Sequence, residues 1–186
     1  MLSLVKVLVA YGTVEGQARK IADYVADRLR GRGLAVDVID VAAARDVARD
    51  YDAAVLSGSI HVSRHPRALT RFARANCGWL NAMPTLFLSI SLSVASRSEQ
   101  TREAARQLAA RFQQQTGFVA GSSACIAGAL RYSQYHPLKR FVMRRISRAE
   151  GRETDTSRDY EYTDWQALAA QVDAFAATLA ASVANR

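Results

Sequence analysis

Cysteine is almost absent from this chain. Cys77 and Cys125 stand far apart, too few and too widely spaced for a zinc motif or a disulfide framework. Both are expected to be reduced and buried, which fits a cytoplasmic address. Long apolar runs are also missing: no stretch of roughly 18 uninterrupted apolar residues occurs, so no transmembrane helix is expected. The N-terminus does not read as a signal peptide, because Lys6 interrupts a short strand-like run and no small-residue cleavage site follows. Acid is the third shortage. Asp and Glu total 17 against 25 Lys and Arg, a net charge of +8. Such a surface attracts anions: nucleic acid, anionic lipid headgroups or carboxylate-bearing small molecules. No recognition-helix pattern or RNA-binding aromatic motif accompanies the charge, so no nucleic-acid partner is expected. With 186 residues and 49% hydrophobic content, residues 1–186 read as one well-cored domain.

What is present is a rhythm of strand and helix. Leu4 to Tyr11 is a short apolar, β-branched run suited to a strand buried on both faces. A polar turn follows, and then Ala18, Ile21, Ala22, Val25 and Leu29 mark one helical face. Gly31 to Gly33 offers a glycine for a left-handed C-cap. Leu34–Val41 alternates as a second strand, with a short helix expected through Ala42–Arg49. Ala53–Ile60 is the third strand, and Pro66 opens a helix ending near Cys77. Thr85–Leu92 is the fourth strand, Glu99–Gln115 a helix, Phe118–Ala127 the fifth strand, and Asp164–Val183 a last helix. Alternation of this kind predicts a doubly wound α/β fold: five parallel strands in the order 2-1-3-4-5 between two helical layers.

Residues 128–162 break the rhythm. A connection of this length, after the fifth strand, far exceeds the roughly 2–6 residues of an ordinary βα loop and is expected to be functional. Basic residues including Arg131, Arg140 and Arg144 alternate there with Tyr132, Tyr135, Phe141 and Met143. After Pro137, Leu138, Phe141, Val142 and Ile146 share one face of a basic amphipathic helix, a pattern that lies in a membrane interface.

Ligands of open α/β sheets gather at the C-terminal ends of the strands. The loop Gly12-Thr13-Val14-Glu15-Gly16-Gln17-Ala18 lies between strand and helix, where helix N–H groups and dipole bind phosphate. It lacks the G-K-[ST] of a Walker loop and the G-x-G-x-x-G of a dinucleotide fold. Hydroxyl and amide groups without fixed positive charge suit a single monophosphate, and FMN is the common one in such sheets. A phosphoreceiver site is excluded, because Ala10-Tyr11 ends the strand without the acids that hold Mg²⁺. The loop resembles the first loop of the flavodoxin family, [ST]-x-T-G-x-T, at Thr13 and Gly16, with Ala18 in place of the last hydroxyl. By that resemblance the isoalloxazine ring lies between Ser59-Ile60-His61 and Ser89-Ile90-Ser91-Leu92-Ser93, against an aliphatic rather than an aromatic wall. His61, Arg64, His65 and Arg97 are expected to add positive charge there, favouring a two-electron reaction over a low-potential electron shuttle. His61 is the one side chain put forward for proton transfer.

Further motifs narrow the family. Ile126 to Tyr132, Glu153-Thr154-Asp155-Thr156, Tyr162-Thr163-Asp164-Trp165 and Asn81-Ala82-Met83-Pro84 resemble the bacterial menaquinone-dependent protoporphyrinogen IX dehydrogenases. That resemblance covers essentially the whole chain. It implies non-covalent FMN, oxidation of protoporphyrinogen IX to protoporphyrin IX, and delivery of electrons to membrane quinone, menaquinone or ubiquinone. Arg131, Tyr132, Arg140 and Arg144 are then the expected substrate contacts, with Arg131 on a propionate. The basic insertion would meet an anionic membrane surface, placing the protein peripherally on the inner face of the cell membrane. No metal is expected, and assembly as a homo-oligomer stays open. Two alternatives also stay open: a flavodoxin-like NAD(P)H:quinone reductase, and an electron carrier that docks through its basic loop.

Overall fold

The structure is a computed structural model and describes residues 4–44, 46–130, 132–134, 148 and 155–184. Five strands, β1 (Lys6–Gly12), β2 (Ala35–Asp40), β3 (Ala53–Ser59), β4 (Thr85–Ser91) and β5 (Ser122–Ala127), pair in parallel in the order β2-β1-β3-β4-β5. The helices between and after them are α1 (Gln17–Arg30), α2 (Arg67–Leu80), α3 (Glu99–Thr116) and α4 (Trp165–Ala184). The expected strand order is the observed one. Val9 lies opposite Val38 on one side and Val55 on the other, and Leu56 lies opposite Phe87.

Strand side chains alternate between the two faces. Val7, Val9, Val55, Leu86 and Leu88 pack with Ile21, Val25, Leu168 and Val172 of α1 and α4. Their strand neighbours Leu8, Leu56 and Phe87 pack with Leu69, Ala73 and Phe112 of α2 and α3. Both faces are covered, which is why these strands read as unbroken apolar runs. Phe87 and Phe112 stack at 4.9 Å between centroids, with Phe118 edge-on to Phe87 at 6.1 Å. Truncating Phe112 to Ala would cost about 3–5 kcal/mol at such a site.

Element ends follow their local chemistry. Ser98 caps α3 through its Oγ and the Thr101 N–H, and Asp164 caps α4 through Oδ1 and the Ala167 N–H at 2.9 Å. The left-handed glycine beyond α1 is Gly33, with φ 82°. Two expectations need correction. No helix forms among the described residues of 42–49. Asp40 Oδ1 accepts the Ala42 N–H at 2.8 Å, and its carbonyl accepts those of Ala43 and Ala44, so side chain and turn take the donors a helix needs. β5 begins at Ser122, not Phe118. The N–H groups of Val119, Ala120 and Gly121 donate to Asn81, Gln113 and Thr85 side chains rather than to a strand.

The long insertion is tied at its root. Residues Ala129–Leu130 (β6) and Tyr160–Glu161 (β7) form an antiparallel ribbon. Gly128 N–H donates to Ser91 O at 3.2 Å, and Tyr162 N–H to Gly128 O at 3.0 Å. Leu130 and Tyr132 are buried against Leu92, Tyr160 and Tyr162. Ser133 closes the root by donating its N–H and Oγ–H to the two Asp159 oxygens, at 2.8 and 2.7 Å. Arg131, Tyr135, Arg140, Phe141, Met143 and Arg144 lie outside the described residues.

Candidate active site

Above the C-terminal ends of β1, β3 and β4 lies a cavity of about 520 Å³. Val14, Glu15 and Gln17 line it from the first loop, Ser59, Ile60 and His61 from the second, and Ile90 to Ser93 from the third. Gly128 and Ala129 close it from the root of the insertion. Ten of the expected cofactor residues are thus brought together. Others are placed elsewhere. Gly12 is a packing residue: a Cβ there would stand 2.9 Å from Leu69 Cβ, and one at Gly58 would collide with the Leu69 side chain. Both glycines let α2 press onto the sheet beside the cavity. The Ala18 methyl is fully buried among the α1 core residues. Its position therefore calls for a small apolar group.

The first-loop end of the cavity is built from backbone. Thr13 Oγ1 accepts the Gly16 N–H at 2.9 Å and braces the turn. Gly16, at φ 84°, is left-handed and enters α1 with no side-chain cap. α1 carries no acid in its first turn, so its first N–H groups and positive dipole end remain directed at whatever occupies the loop. At the ring end, Ile60 and Leu92 supply the aliphatic wall, and the buried Ser59 hydroxyl has no partner among the described residues. An uncapped, acid-free helix start, an apolar slot and an unpartnered hydroxyl fit FMN.

The electrostatics near the ring differ from expectation. His65 is 6% exposed, with its Nε2 3.1 Å from Ser89 Oγ and its ring tilted against Phe112 and Phe87. Burial lowers its pKa to about 4, so it is neutral and adds no charge. Ser89, expected at the ring, is buried as its hydrogen-bond partner. Arg64 lines a neighbouring groove, and Arg97 is exposed outside both cavities. His61 does line the cavity, with Nδ1 3.8 Å from Glu15 Oε1.

Three features were missed in the sequence. Gln17, 4% exposed, donates its amide hydrogens to Glu161 Oε1 and Thr163 Oγ1, both at 2.9 Å. Thr163 in turn donates to Ala127 O at 2.8 Å, and Lys20 pairs with Glu161 at 2.6 Å. The first turn of α1 is therefore clamped to the root of the insertion. Second, His61 and Arg64 close a tight turn, His61 N–H to Arg64 O at 2.8 Å, with Val62 and Ser63 both at positive φ. Neither residue is the Gly or Asn that usually marks such a turn. A β-branched residue there stores about 1–3 kcal/mol of strain, and it holds Val62, 73% exposed, at the cavity mouth. Third, Tyr132, expected at the substrate, is fully buried in the core of the insertion's root. Two-residue strands carry no periodicity, so nothing in the sequence pointed to that core.

Comparison with known proteins agrees with this geometry. Residues 8–157 match the flavodoxin domain family. The protoporphyrinogen IX dehydrogenase (quinone) of Escherichia coli K12 is 34% identical over 165 residues, covering 88% of this chain and 91% of that protein. The Leishmania major protein of the same name is 28% identical over 174 residues, covering 92% and 75%. Among solved structures, a flavodoxin of Streptococcus pneumoniae TIGR4 shares the fold at TM-score 0.56 and 18% identity, over 96% of this chain and 99% of that one. The chain therefore belongs to the flavodoxin-domain family of quinone-dependent protoporphyrinogen IX dehydrogenases.

Proposed function

We propose that this protein oxidises protoporphyrinogen IX to protoporphyrin IX with FMN as cofactor and delivers the electrons to a membrane quinone. The observation that carries the reading is the cavity over β1, β3 and β4, closed by the root of a basic insertion, in a chain similar to proteins of that name. FMN, when bound, supplies two-electron redox chemistry. Six electrons and six protons leave the porphyrinogen, so three quinones become three quinols for each porphyrin formed.

The chain's residues do the remaining work. The N–H groups opening α1, on the loop braced by Thr13, hold the phosphate. Ile60 and Leu92 would flank the flavin and shield it from water, and the unpartnered Ser59 hydroxyl would give it a hydrogen bond. His61 takes a substrate proton at an imidazole nitrogen, with the Glu15 carboxylate as its counter-charge. Arg131, Arg140 and Arg144 of the insertion stay as proposed substrate contacts. The insertion's basic segment also meets an anionic membrane surface on the cytoplasmic side, where quinone is available. Among the described residues no helix is long and apolar enough to cross a membrane. Residues 1–186 act as one domain.

The test is a steady-state assay of FMN-loaded protein with porphyrinogen and a menaquinone analogue, read by porphyrin fluorescence. One porphyrin per three quinones consumed is expected. Porphyrin formation no faster than without protein would overturn the reading. Turnover only with NAD(P)H and quinone would move the chain to the reductases.

A further inference from the structure

A second cavity, of about 680 Å³, opens between α2 and α3 and shares Ser63 and Leu108 with the cofactor cavity. Arg64, Arg67, Arg71, Arg74 and Arg111 line it, and among the described residues no Asp or Glu does. Arg67, Arg71 and Arg74 are spaced i, i+4, i+7, which sets them on one face of α2; Arg111 comes from α3 across the groove. Arg74 donates to Gln115 O at 3.0 Å. Arg64, Arg67, Arg71 and Arg111 are exposed, and among the described residues their guanidinium groups have no hydrogen-bond or ion-pair partner. The floor is His65, held neutral by its burial.

Several arginines on other helices do meet acids. Arg28 and Arg32 hold Asp173, and Arg102 and Arg106 hold Glu99 and Glu103. Five like charges gathered around one groove with no acid repel one another and favour any anion that enters. Planar guanidinium groups match carboxylates in two-point hydrogen bonds. Because the groove runs into the cofactor cavity at Ser63 and Leu108, a molecule over the flavin ring can extend its acidic edge there without leaving the site.

We infer that the α2–α3 groove binds the carboxylates of the tetrapyrrole, with Arg67 and Arg71 as the principal partners of its propionates and Arg111 facing them. This inference rests on the proposed function, which named the substrate but drew its arginines from the insertion. The groove fixes the orientation: propionates between α2 and α3, and the macrocycle over Ile60 and Leu92. It also makes specificity a matter of charge at one edge.

Full-length, FMN-loaded protein is titrated with protoporphyrin IX and with its dimethyl ester, whose two carboxylates are masked. Binding is read by fluorescence. The wild type should hold the free acid about tenfold or more tighter than the ester. The double variant Arg67→Gln/Arg71→Gln should lose that preference, leave ester and FMN affinity unchanged, and raise KM for porphyrinogen but not for quinone. Arg67→Lys/Arg71→Lys should restore part of the preference. Equal wild-type affinity for acid and ester, which needs no variant, would overturn the inference. So would an effect confined to Arg131→Ala, with the groove variants behaving as wild type. Loss of binding to phosphatidylglycerol vesicles with porphyrin affinity intact would make the groove a headgroup site and overturn it as well. Wild-type turnover reports on the functional reading separately: if it fails, the reading fails, whereas normal turnover with unaltered groove variants removes the groove alone.

Discussion

On the α1–α4 face, Arg28 grips Asp173 through Nε and Nη2 at 2.7 and 2.6 Å, and Arg32 adds a bond at 3.0 Å. In the groove between α2 and α3, five arginines line a cavity that no acid lines among the described residues. The first face joins two helices that contact each other directly, and its charges are consumed in holding that contact. Its Arg28–Asp173 pair is bidentate and partly shielded, the geometry in which an ion pair fixes orientation. The second face leaves its cations in an open groove, beside a cavity built for an organic cofactor. The same residue type serves as a clamp where its partner is in the chain and as a receptor where it is not.

The largest effect expected from perturbing the comparison lies under the groove. His65 is neutral in the folded protein because burial lowers its pKa to about 4, against an ordinary 6.5. Unfolding lets it take up a proton between those values, so stability falls as pH drops through that window and is fully present above it. From pH 7.5 to 4.5 the loss should be about 2.5 kcal/mol. Urea midpoints across this range would show it. His65→Phe keeps the ring packing against Phe87 and Phe112 and should flatten the slope. An equally steep slope in the variant would remove His65 as its source.

The next effect concerns the phosphate loop. Thr13→Val removes the brace on Gly16, a neutral hydrogen bond of about 1 kcal/mol. FMN affinity should weaken by roughly fivefold, by flavin fluorescence titration, with the preference for porphyrin free acid over ester preserved. The smallest is on the paired face. Asp173→Asn strips Arg28 and Arg32 of their partner and should lower Tm less than either change above alters stability, leaving porphyrin and FMN affinity untouched. Asp173 has a pKa held below the usual carboxylate range, first by its hydrogen bond from Arg28. Its contribution is present above the unfolded carboxylate range and lost as pH falls through the folded value. The variant should lose the share of the acid-side slope that Asp173 contributes, leaving the rest in place. A change in porphyrin affinity on this variant would blur the division between clamp and receptor.

The sequence exposed the sheet because strands buried on both faces leave a continuous apolar signal, as in Leu4 to Tyr11 and Thr85 to Ser91. The turn before α1 was legible for a related reason: glycine and a hydroxyl at fixed spacing set its shape. Contacts decided by tertiary packing were not. His65 looked like a charge at the site, yet the Phe87–Phe112 pair encloses it. Gln17 looked like a cofactor ligand, yet its amide is taken by Glu161 and Thr163, some 145 residues away. The R-x-x-x-R-x-x-R spacing of Arg67, Arg71 and Arg74 was visible in the sequence. What made it a site, the arrival of Arg111 and the lack of any acid, required the fold.

One measurement tests the central claim most directly. FMN-loaded protein is held without oxygen, protoporphyrinogen IX is added, and the flavin absorption is followed before and after a menaquinone analogue. Loss of the flavin bands on adding porphyrinogen, and their return with porphyrin accumulating on adding quinone, is the predicted result. Flavin bands that persist unchanged in the presence of porphyrinogen would contradict it.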